Sequence, residues 1–228
     1  MASFIAFSDF KESLLEVDIL CEAAESSQTD ERKYSTFNKA ALLLIAGKFE
    51  AFAESLVAEF IFRLNERALP CNQIPNVIRL HHTFNALSKL ETVRQKHKHP
   101  EALLLFNELG RVWATQETFS DLEIEASFSF GQHGEAQLVK LFEKIGVEDV
   151  LNSVSLDDEV ETVSTDAPVS TPVDFRGIFN SVTNMRNNIL HEDASPNLNS
   201  VQVRRYRTYF ERFARQLDDH LTGILLTI

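Results

Sequence analysis

A chain of 228 residues with 44% hydrophobic and 25% charged side chains can bury a sizeable core, which argues against wholesale disorder, and its length suits one domain better than two. The formal charge of −12 argues against a protein that coats nucleic acid without specificity, because such binding needs a broad cationic surface; a small local RNA site stays open. Only 7 glycines and 6 prolines leave too little punctuation for the many tight turns of an all-β fold, so long helices and an all-α class are expected. Cys21 and Cys71 are the only cysteines, too few for a disulfide framework or a four-cysteine zinc site, and read as two buried reduced thiols. No basic segment precedes the first apolar residues and no run approaches the roughly 18 apolar residues of a membrane span, so a cytoplasmic protein without membrane contact is expected.

The first predicted helix covers residues 8 to 27. Ser8 is its candidate N-cap, and Phe10, Leu14, Val17 and Cys21 share one face that Leu15, Ile19 and Leu20 widen. From about Thr36 to Leu69, Phe37, Ala41, Leu44, Ile45, Phe49, Phe52, Leu56, Phe60 and Leu64 recur every three or four residues, the pattern of a long central helix closed by Pro70 and Pro75. Residues 76 to 98 and 101 to 118 read as two helices separated at Pro100. Leu122 to Phe130 alternates apolar and polar residues and reads either as a short strand or as an extended loop. Gly134 to Ile145 is helical, with Gly146 as its C′ residue.

Glu148 to Asp174 is acidic, rich in Ser and Thr and poor in large side chains, so it reads as a long solvated loop that joins two halves of the domain. Thr171 and Pro172 suit the N-cap and N1 positions of a helix from about 172 to 192, ended by Ser195 and Pro196. A last helix, about Asn199 to Leu226, carries Val203, Tyr206, Phe210, Phe213, Leu217, Leu221 and Ile224 on one side. Arg204, Arg205, Arg207, Arg212 and Arg215 fall mostly on the other, either as an RNA-binding ridge or as a solvated face that balances an acidic protein.

Chemistry concentrates in FRGIFNSVTNMRNNILHED, residues 175 to 193. At about 100° per residue, Phe175, Ile178, Phe179, Val182, Met185 and Ile189 form an apolar stripe, and Arg186 falls inside it. An unpaired buried guanidinium costs several kcal/mol. Arg186 must therefore meet a carboxylate, with Glu50 and Glu54 as candidates, or face a cleft or an interface. His191, five positions on, points roughly 140° away at the helix end, with Asn187 one turn beneath it. A histidine that titrates near neutrality can take a proton from a nucleophile or give one to a leaving group, and an arginine can bind phosphate oxygens through two parallel hydrogen bonds. Together they suffice to cut RNA with its own 2′-hydroxyl as nucleophile, without a metal or other cofactor. Neither His81-His82 nor His97-Lys98-His99 stacks two imidazoles on one helix face, and no carboxylate motif completes a metal set.

Arg186-Asn187-Asn188-Ile189-Leu190-His191 is similar to the R-N-x-x-x-H signature, more broadly R-x4-H, of the HEPN superfamily. The long early helix ALLLIAGKFEAFAESLVAEFIFRL, the segment GEAQLVKLFEKIG before the motif and the terminal helix after it also resemble the HEPN ribonucleases of bacterial toxin and defence systems, over roughly residues 37 to 226. The resemblance implies a helical bundle that dimerises with two motif helices facing each other, so that the site draws on both subunits. It implies Arg186 and His191 as catalytic residues, with Asn187 orienting the histidine or the phosphate. RNA is then the substrate, and an antitoxin or regulatory protein is an expected partner. The chain departs from the family pattern at Leu190 and Glu192, which flank the histidine, and at Asp193, where the toxins paired with nucleotidyltransferases carry tyrosine. Glu192 would repel a bound phosphate. Glu192 and the net charge keep a second expectation open: a noncatalytic HEPN-like module that docks RNA, nucleotide or protein.

Overall fold

The computed structural model describes residues 2–114, 117–128, 133–153, 156–160, 169–191 and 196–228. It is an all-α bundle. Helices α1 (Ile5–Ser13) and α2 (Leu15–Glu25) lead to α3 (Glu31–Glu66), the long spine, whose N-cap Asp30 accepts a hydrogen bond from the Lys33 N–H. Helices α4 (Asn76–Gln95) and α5 (His99–Val112) form an antiparallel pair; α6 (Glu135–Glu143), α7 (Phe175–His191) and α8 (Ser200–Thr227) complete the bundle. Strands β1 (Leu69–Pro70) and β2 (Thr118–Phe119) pair antiparallel and tie the end of α3 to the chain after α5.

The expected helix over 8 to 27 is two helices. The chain turns at Leu14, and Ser8 lies inside α1, whose N-cap is Phe4. Phe10, Leu14, Val17 and Cys21 are buried as the periodicity requires, whereas Leu15 and Ile19 are exposed, so the buried stripe is narrower than the sequence suggests. Both cysteines are buried and free, and burial pushes their thiols up from the ordinary value.

The core centres on Phe49 of α3. Its ring meets Phe10 of α1, Phe175 and Phe179 of α7, and Phe210 and Phe213 of α8 at centroid distances of 6.0, 6.3, 5.7, 4.9 and 6.0 Å. Phe175 also stacks on Phe213 at 4.0 Å. Edge-to-face and offset contacts of this kind each add stabilisation beyond the area they bury, and here they lock α7 and α8 to the spine.

The α4–α5 pair is packed differently. Ile78, His82, Ala86 and Val112 reach the core side, but Leu80, Phe84, Leu87, Leu103, Leu104 and Phe106 stay exposed. His82 is 3% exposed and its Nδ1 accepts the Glu123 N–H at 3.0 Å, which fixes Nε2 as the protonated nitrogen. Burial holds its pKa below the ordinary histidine value. The unfolded chain therefore takes up a proton near pH ~6.5 that the folded chain refuses, and stability falls as pH drops through that value. Urea unfolding at pH 7.5 and pH 5.5 should show a larger loss of midpoint for wild type than for His82→Phe; equal losses would remove His82 as the cause.

Two further expectations are corrected between Leu122 and α7, and a third, left open, is decided. Of strand and extended loop, residues Leu122 to Phe128 take the loop, with Asn65 of α3 holding both the N–H and the carbonyl of Leu122, at 2.8 and 2.9 Å; residues 129 and 130 lie outside the described residues. The acidic segment is not loop throughout, since β3 (Leu156–Val160) and β4 (Val169–Val173) pair antiparallel within it. Thr171 and Pro172 belong to β4, and Asp174 caps α7 instead, its Oδ1 accepting the Gly177 N–H at 2.9 Å. Gly146 ends the turn after α6 with φ +87°, as expected of a C′ glycine. The last helix opens on a capping box of Asn199 and Gln202. No helix among the described residues is long and apolar enough to cross a membrane.

Candidate functional site

Helix α7 owes its position to two sets of contacts. Phe175, Phe179 and Val182 bury its inner face in the phenylalanine core. On its flank, three consecutive residues meet successive turns of the helix. Glu135 pairs with Arg176 and accepts from Asn180 Nδ2 at 2.6 Å; a Cβ on Gly134 would stand 3.4 Å from Thr183; and His133 reaches Arg186. Gly134 has φ +102°, a conformation open to glycine at little cost, and this lets the chain turn into α6 while lying against α7.

Arg186 is enclosed, with its side chain 14% exposed. Its Nη1 donates to Asn187 Oδ1 at 3.1 Å and its Nη2 donates to His133 Nε2 at 3.3 Å. Glu50 Oε2 of α3 lies 3.9 Å from Nη2, and Glu50 Oε1 lies 3.0 Å from His133 Nδ1. An arginine has no acceptor, so His133 Nε2 must offer its lone pair; Nδ1 then carries the proton and donates it to Glu50. The result is a chain from carboxylate to neutral imidazole to guanidinium, with Asn187 on the other edge. Of the two carboxylates expected near Arg186, Glu50 is the one that meets it. Glu54 accepts the Phe128 N–H at 2.7 Å.

The predicted site residues therefore divide. Arg186 and Asn187 are joined, with Asn187 accepting from the arginine rather than from His191. His191 ends α7 as an exposed side chain without a hydrogen bond among the described residues. Glu192, expected to crowd the site, lies outside the described residues. One residue escaped sequence reasoning: His133, which has no patterned neighbours, yet bridges Arg186 to the anticipated Glu50. His133 and Glu50 lie 83 residues apart, and only folding joins them.

The arginines of α8 are largely committed within the chain. Arg204 pairs with Glu25 at 2.8 Å, Arg207 with Asp18 at 3.1 Å and with Glu211, and Arg205 donates to the Tyr209 hydroxyl at 2.7 Å. That pattern favours the solvated, charge-balancing face over an RNA-binding ridge. Cavities of about 630 Å³, between the starts of α7 and α8, and about 1000 Å³, beside α6, include neither Arg186 nor His191. His191 sits on an exposed helix end, while Arg186 is enclosed one turn earlier.

A model of the RiboL-PSP-HEPN family matches residues 8–223. The chain belongs to this HEPN family. No curated protein and no solved structure matches it. The match runs from within α1 to within α8 and so takes in α7 with Arg186 and His191. A HEPN domain of this kind is compatible with ribonuclease activity and with an RNA-binding module.

Proposed function

We propose that this HEPN chain is a metal-independent endoribonuclease that acts as a homodimer of single-domain subunits, with Arg186 and His191 as its catalytic residues. The support is the layout of α7: an enclosed, positioned arginine and, five residues on, an exposed histidine at the helix end. Arg186 has five N–H donors, of which, among the described residues, one meets Asn187 and one His133; the others can serve phosphate oxygens. Residues five apart on a helix diverge by roughly 140° and are separated by about 7.5 Å along the axis, so one helix does not aim both at the same phosphate. Two motif helices facing each other would unite Arg186 of one subunit with His191 of the other, and the exposure of His191 at the end of α7 fits a site that a second copy completes.

In the proposed reaction His191 takes the proton of a ribose 2′-hydroxyl. The oxygen attacks the adjacent phosphorus, and the bond to the 5′-oxygen breaks. The leaving 5′-oxygen takes a proton from water, and the protonated His191 returns its own proton to solvent. Arg186 stabilises the charge that builds on the phosphorane oxygens. The products carry a 2′,3′-cyclic phosphate and a 5′-hydroxyl.

The net charge of −12 and the partial neutralisation of Arg186 by Glu50 favour a second reading, a noncatalytic module that docks RNA. Purified protein incubated with total RNA in excess EDTA separates the two. Cleavage with cyclic phosphate ends, lost in Arg186→Ala and His191→Ala, supports the nuclease. A folded dimer that leaves RNA intact supports the docking module. A small adjacent reading frame encoding an antitoxin would suit the nuclease as a toxin or defence effector.

A further inference from the structure

We propose that Glu50 and His133 are positioning residues for Arg186, a clamp that fixes the guanidinium on the flank of α7 before substrate arrives; this rests on the nuclease reading above. Each link is geometric. The Glu50 carboxylate holds the His133 ring through Nδ1 at 3.0 Å, and Nε2, left as an acceptor, takes the Arg186 Nη2 donor at 3.3 Å. Side-chain exposures of 18, 30 and 14% for Glu50, His133 and Arg186 keep the chain largely out of solvent, where such hydrogen bonds hold a preferred geometry.

Both supports are themselves anchored. Glu50 follows Phe49, the centre of the aromatic core, so its backbone belongs to the most tightly packed part of the spine. His133 precedes Gly134, whose positive φ turns the chain into α6 with too little room for a larger side chain beside Thr183 of α7, one turn before Arg186. An arginine side chain is long and rotamer-rich, and loses much freedom when its head group is fixed. Immobilising it beforehand leaves that freedom already restricted when the phosphorane forms, which appears in the turnover rate more than in substrate affinity. The clamp also explains why a guanidinium is tolerated inside an apolar stripe: Glu50 balances its charge through the imidazole without a short direct ion pair that would use up the phosphate-binding edge.

The test is steady-state cleavage of a single-stranded RNA in EDTA by the full chain, comparing wild type, Arg186→Ala, His133→Ala, Glu50→Ala and His133→Gln. Loss of the clamp should lower kcat ten- to a hundredfold in His133→Ala and Glu50→Ala, with KM changed less than threefold. His133→Gln, which keeps an acceptor towards Arg186 and a donor towards Glu50, should recover most of the rate. Wild-type kcat in both alanine variants, beside an inactive Arg186→Ala, overturns the clamp and leaves the nuclease intact. If wild type itself does not cleave, the nuclease reading falls, and side-chain ¹⁵N NMR decides the clamp alone. Restricted rotation of the Arg186 guanidinium that is released in His133→Ala supports it; free rotation in wild type overturns it.

Discussion

Arg186→Ala is expected to lower kcat for RNA cleavage by roughly 10²- to 10³-fold, the usual effect of removing one donor aimed at a developing oxyanion. His191→Ala should cost a comparable or larger factor, about 10²- to 10⁴-fold, because proton transfer is lost at the nucleophile. Arg186→Lys keeps the charge but not the planar fork, and should recover only a small part of the loss. The two alanine variants also test the dimer. If each phosphate is held by Arg186 of one subunit and attacked with the help of His191 of the other, an Arg186→Ala/His191→Ala heterodimer retains one complete site. Coexpressed, differently tagged chains purified as the mixed dimer should then cleave RNA, although either homodimer is inactive. Silence of the mixed dimer would mean that both residues act within one chain.

Phe49→Ala is expected to destabilise the fold by about 3–5 kcal/mol, the range for truncating a buried phenylalanine. That is a large share of the roughly 5–15 kcal/mol that holds a protein folded. The Phe49 ring is the meeting point of α1, α3, α7 and α8, so the cavity cannot be filled by a single neighbour moving in. Chemical denaturation measures the effect, and a loss below about 1 kcal/mol would mean that the surrounding rings collapse into the space. The site should suffer as well. Phe175 and Phe179 anchor α7 through this ring, and Glu50 is the next residue on the spine, so the variant should cut RNA more slowly even at temperatures where it remains folded. Phe49→Leu, which retains most of the volume, should restore much of both.

His133 shows where reading the chain as a sequence stops. Arg186, Asn187 and His191 were legible because a helix turns a fixed spacing into a shared flank, and a guanidinium within an apolar stripe violates the pattern visibly. Glu50 could be named only as one of two candidate carboxylates, since α3 carries charged residues between its apolar ones throughout, and His133 stands alone before a glycine. The role of Asn187 was equally hidden: from spacing it lies beneath His191, yet its oxygen accepts from Arg186, a choice set by side-chain rotamers rather than by helical period.

The sequence by itself determined the all-α class, the long spine, the buried faces of α1, α2 and α8, and the motif helix with its arginine and histidine. Those features follow from hydrophobic periodicity, which acts over a few residues and is written locally. Only the tertiary structure decided the turn at Leu14, the β3–β4 pairing inside the acidic segment, the cap at Asp174, the committed arginines of α8 and the carboxylate–imidazole–guanidinium chain. Each of these depends on which distant groups meet, because a polar group taken out of water must find a partner wherever the folded backbone places one.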